Sequence, residues 1–99
     1  MKIIKCLAEM IHEELEDAEK YGKKALEYKD SDKRLADMFY NLSKQDLEHA
    51  NMEHEQAVRL IKDQNTEAPA AMQAVWDWEH EHMIDHSAKI RQLQAMYNG

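Results

Sequence analysis

Three long stretches of this chain repeat apolar residues at alternating steps of three and four, and only a helix gathers residues so spaced onto one face. The first carries Ile4, Leu7, Ala8, Ile11, Leu15, Ala18, Gly22, Ala25 and Leu26. The second carries Leu35, Phe39 and Leu42, then Ala57, Leu60 and Ile61. The third carries Met72, Trp76, Met83, Ile90, Leu93 and Tyr97. With two glycines and one proline in 99 residues, little interrupts these stripes, and nothing reads as a strand. The spacing predicts a single all-α domain with helices over about 1–29, 32–63 and 67–97. The segment KDSDK breaks the first two, with Asp30 or Ser31 expected to cap the second. The segment KDQNTEAPAA breaks the last two, with Thr66 as cap and Pro69 in the first turn. Connections this short make sequential helices antiparallel neighbours, up-down-up.

A chain of this length hides between about 60% and about 70% of the surface its unfolded form exposes, enough for one core. Its formal charge of −7, with no basic cluster, argues against nucleic acid or an anionic membrane as principal partner. No run approaches the roughly 18 apolar residues that a spanning helix needs. The start, MKIIKCLAEM, is interrupted by Lys5 and Glu9 and reads as helix rather than leader. Cys6 is the single cysteine, which excludes an internal disulfide framework and a thiolate metal knot and suits the cytoplasm.

The second stripe turns polar at its centre. Between Leu42 and Ala57 it is continued by Asp46, His49 and Glu53, where apolar residues are expected. A buried carboxylate is costly unless paired, hydrogen-bonded or bound to a metal, so this island calls for partners. Glu14 falls on the first stripe, three residues after Ile11, with Tyr21 two turns further on. Glu79 and His86 interrupt the third, and His82 flanks it. Asp46-x-x-His49 places a carboxylate and an imidazole one turn apart, able to reach a single cation, and Glu79-x-x-His82 repeats the spacing. Carboxylate and imidazole without thiolate suit iron, manganese or zinc, the first two better. A metal-free polar network satisfies the same residues. His12, His54 and His80 read as surface or structural, and the methionines and tryptophans as core or interface.

Glu14, Tyr21 and then Asp46-x-x-His49, within the local texture EELEDAEKY and LSKQDLEHANMEH, resemble the ferritin-like superfamily over roughly Ile4 to Ile61. The resemblance implies an antiparallel ferritin-like bundle holding one or two iron or manganese ions. Glu14, Asp46 and His49 would be ligands and Tyr21 a neighbour of them, with Glu79 and His82 able to supply the family's second motif; by position alone, Glu53 and His86 are further candidates. It also implies oxidation of ferrous iron by oxygen or peroxide. Asp46 stands where that family uses Glu, and three helices leave its four-helix unit incomplete, so a homodimer is expected to complete it. The alternative is a helical oligomerisation or adaptor domain without metal or catalysis.

Overall fold

The structure, a computed structural model, describes residues 2–63 and 70–99, with side chains over 2–63 and 76–99. It contains three helices, α1 (Lys2–Tyr28), α2 (Lys33–Asp63) and α3 (Ala70–Asn98), and no strand among the described residues. The assembly is a rod of 54 × 17 × 17 Å. No helix among the described residues is long and apolar enough to cross a membrane. Thr66 and Pro69, expected to open the third helix, and the Met72 side chain lie outside the described residues.

Asp32, rather than Asp30 or Ser31, caps α2. Its Oδ1 accepts the Leu35 amide at 3.1 Å, while the Asp32 amide donates to the Tyr28 carbonyl at 2.9 Å. Four residues therefore suffice to end α1 and start α2. Residues late in α1 then meet residues early in α2: Ala25 clusters with Ala36, Ala18 touches Ser43, and Glu14 reaches His49. The third helix lies chiefly on α1.

The core of α1 is the stripe its periodicity announces: Ile4, Ala8, Ile11, Leu15, Ala18, Gly22 and Ala25 are all buried. The α2 stripe differs from expectation. Ala36, Ser43, Leu47, Ala50 and Ala57 face inward, so the row expected from Leu35, Phe39, Leu42, Asp46, His49 and Glu53 is turned to the flank and only partly covered or exposed. Small residues at 36, 43, 50 and 57 recur every seven positions and let α2 approach closely. On α3 the seven-residue repeat is large: Trp76, Met83, Ile90 and Tyr97 are buried, and Ile90 is fully enclosed. Bulky residues from one helix thus fill the space that small ones leave on another.

Near the middle of the rod all three helices share one polar contact. The fully buried Ser43 hydroxyl donates to the Ala18 carbonyl at 2.7 Å and accepts Gln94 Nε2 at 3.0 Å. Gly22 lies beside it, with room for a Cβ only 3.4 Å from both Ser43 Oγ and Leu93 Cβ. Toward the α1–α2 turn, Tyr97 stacks on Tyr40 at 4.8 Å and its hydroxyl donates to Asp37, while Asn98 Nδ2 donates to the Tyr40 hydroxyl at 2.7 Å. The bond to Asp37 pushes the Tyr97 hydroxyl up to about 12 and, with Lys33, holds the Asp37 carboxyl below its ordinary value.

Ser43→Ala should lower stability by about 1–2 kcal/mol, a fall of roughly 5–10 °C in Tm, because the Ala18 carbonyl and Gln94 lose their shared partner. Gly22→Ala should be neutral or stabilising, since a Cβ there meets ordinary contact distances and alanine favours helix by about 1 kcal/mol. Thermal melts followed by circular dichroism check both, and a tolerated Ser43→Ala would contradict the packing described.

Candidate metal centre

Glu14, Asp46 and His49 each immediately precede a buried residue, Leu15, Leu47 and Ala50. One step along a helix rotates a side chain by about 100°, so all three stand beside the core rather than within it. Their side chains are 29%, 18% and 53% exposed. One ligand atom from each lies within 4.8 Å of the others. His49 Nδ1 is 3.6 Å from Glu14 Oε2 and 3.8 Å from Asp46 Oδ1. Donors on one cation, with bonds of about 2.1 Å, stand about 3 Å apart at right angles and about 4.2 Å apart when opposite. The observed separations fall between these limits.

The electrostatics favour a cation. Burial pushes the Asp46 carboxyl up to about 6, helped by its hydrogen bond to Glu14 and by the charges of Glu14 and Asp17, while His49 opposes the shift. Below about pH 6, without a cation, Asp46 holds a proton that it can donate to Glu14. Glu53, one turn beyond His49, is raised for the same reasons: burial first, then Glu14, with His49 opposing. Its Oε2 is buried and lacks a hydrogen-bond partner among the described residues. The donor set of carboxylates and one imidazole suits ferrous iron or manganese, and an orphaned carboxylate oxygen beside it is the kind of group a cation satisfies. The residues present therefore fit such a metal.

The other expected ligands go elsewhere. Glu79, His82 and His86 line a separate groove between α1 and α3, facing His12, Glu16 and Glu19. Within one chain, therefore, Glu79 and His82 do not gather with Glu14, Asp46 and His49 but lie in the groove between α1 and α3. His82 Nδ1 donates to the Trp78 carbonyl at 2.9 Å, its ring 3.9 Å from that of Trp78. His86 pairs with Glu19 at 3.5 Å, where Lys89 also binds at 2.9 Å. The Lys89 hydrogen bond holds the Glu19 carboxyl below its usual range despite partial burial. Tyr21 stacks on Phe39 at 6.1 Å, and Phe39 on Tyr28 at 6.2 Å; no hydrogen bond joins Tyr21 to the carboxylates among the described residues.

Two residues that periodicity left as surface or structural are brought together instead. His54 on α2 stacks on His80 of α3 at 4.9 Å, with Trp76 packed 6.0 Å from His54. Burial, then the neighbouring His80, pushes the His54 imidazole down, with Glu55 opposing. The spacing within either helix carries no trace of this pairing, which depends on how α3 is set against α2.

Because the folded-state value for Asp46 is raised, its protonated form stabilises the metal-free fold. That contribution is complete below pH 3.8 and is lost as pH rises through about 6. At pH 7 the ionised pair is a burden, so Asp46→Asn should stabilise the metal-free protein by roughly 1–3 kcal/mol, several degrees in Tm. The gain should vanish near pH 4. Melting curves of both proteins across pH check this, and a destabilised Asp46→Asn at pH 7 would contradict the electrostatics.

Comparison with protein-family models, with curated proteins and with solved structures finds no match for this chain.

Proposed function

We propose that this chain is a ferritin-like metal-binding protein whose Glu14, Asp46 and His49 bind a ferrous or manganous ion. The observation that carries the reading is the convergence of two carboxylates and one imidazole, from two helices, within 4.8 Å. Glu14 and Asp46 supply the negative charge, and His49 supplies a neutral nitrogen. Below about pH 6 the proton on Asp46 must leave for the cation to enter, so binding there releases a proton and weakens as pH falls. Glu53 stands one turn away as a carboxylate able to join the set or to take up a proton. A bound iron would add one-electron redox chemistry with oxygen or peroxide, the activity expected of a ferritin-like site.

The architecture proposed is an antiparallel ferritin-like bundle completed by a second copy. Its support is the half-exposed flank itself: Met10 precedes Glu14 by one turn, Met52 follows His49 by one turn and is 64% exposed, and Met38 is exposed further along α2. A homodimer that covers these methionines would also enclose the acidic centre. A metal-free oligomerisation or adaptor module is the second reading, favoured by exposed Trp78, Ile84 and Met96 on α3.

Anaerobic titration of the metal-free chain with ferrous iron or Mn2+ should give saturable binding at about one ion per triad, with proton release below about pH 6, abolished by Glu14→Ala or His49→Ala. Absence of stoichiometric binding, or binding that survives both substitutions, would overturn the metal reading and leave the interaction module. Light scattering at high micromolar concentration that shows monomer alone would overturn the dimer.

A further inference from the structure

On the α3 side of α2, away from the acidic triad, lies a cavity of about 190 Å3 with an unusual lining. Its apolar part comes from Ile11, Leu15 and Met83, all buried in the core. Its polar part comes from His54, His80 and Arg91, joined by Asn51 and Ser87. The chain carries 20 acidic residues, yet none among the described residues lines this cavity. All five polar side chains can donate hydrogen bonds. Among the described residues, none of these side chains makes a hydrogen bond or ion pair, and the buried His54 Nε2 is unpartnered outright. In an acidic chain an arginine finds a carboxylate easily; among the described residues Arg91 has none. Stacking against each other and against Trp76, 6.0 Å from His54 and 6.1 Å from His80, holds the two imidazoles in place without occupying their ring nitrogens.

We infer that this cavity is a binding site for a small aliphatic carboxylate, its anionic head on Arg91 and the neighbouring donors and its hydrocarbon body against Ile11, Leu15 and Met83. A guanidinium pairs with a carboxylate through two parallel hydrogen bonds, and Ser87, Asn51 and His80 supply further donors around the same mouth. A short hydrocarbon body fits the volume and gives the apolar floor a partner, which inorganic phosphate would not. The net charge of −7 opposes anions at long range, so the local donors, rather than steering, must supply the affinity. The site is independent of the metal reading, since it uses neither the triad nor its helix flank.

The test is a nuclear magnetic resonance titration of the full, metal-free chain with sodium butyrate at constant ionic strength, with 1-butanol and inorganic phosphate as comparison probes. Butyrate should shift the Arg91 side-chain and Ser87 amide signals saturably, with half-saturation at about 1–10 mM, a modest affinity suited to so few atoms. Arg91→Gln, at an exposed position, should keep the fold and weaken butyrate at least about tenfold. Glu14→Ala should leave butyrate binding unchanged even as it abolishes metal binding. The proposal is overturned by non-saturating shifts, by 1-butanol binding as well as butyrate, by unchanged affinity in Arg91→Gln, or by phosphate binding more tightly than butyrate.

Discussion

The Ser43 hydroxyl is the point on which the arrangement turns. It is the one polar side chain among the described residues that is buried outright, and it joins the Ala18 carbonyl of α1 to Gln94 of α3. Hydrogen bonds in an apolar interior tolerate little misalignment, so this junction sets the rotation of α2 about its own axis and the level at which α3 crosses it. Gly22 and Leu93 close around the same spot, which keeps the helices near enough for the bond to form.

Once Ser43 faces inward, Ala36, Ala50 and Ala57 follow it at seven-residue spacing, and Asp46 and His49 must stand on the flank. Glu14 meets them there from α1. The site is consequently wet on one side and apolar on the other. Asp46 feels enough of the core to hold its proton up to about pH 6, while His49 remains open to solvent and to an incoming ion. A carboxylate pair placed this way costs stability at neutral pH, where Asp46 is ionised beside Glu14.

Much of this was legible in the sequence, and the misreading is instructive. The α1 stripe and the heptad of Trp76, Met83, Ile90 and Tyr97 were both plain, because large apolar residues dominate them. On α2 the eye follows Leu35, Phe39 and Leu42, whereas packing follows Ala36, Ser43 and Ala50, whose small side chains carry weak hydropathy but permit close approach. Asp46 and His49 were therefore expected inside and stand one position outside. Their proximity to Glu14 was still readable, since short connections fix how α1 lies on α2. Glu79, His82, His54 and His80 were not, because their neighbours depend on the placement of α3, which no local spacing encodes.

The central claim is that the cation seat lies on the α1–α2 flank and not in the second acidic, histidine-bearing groove between α1 and α3. Paramagnetic broadening of amide signals by substoichiometric Mn2+ tests it most directly. The account predicts loss of signal centred on Glu14, Asp46 and His49 and fading along both helices from there. Broadening centred on Glu79, His82 and His86, or spread evenly over the acidic surface, would contradict it.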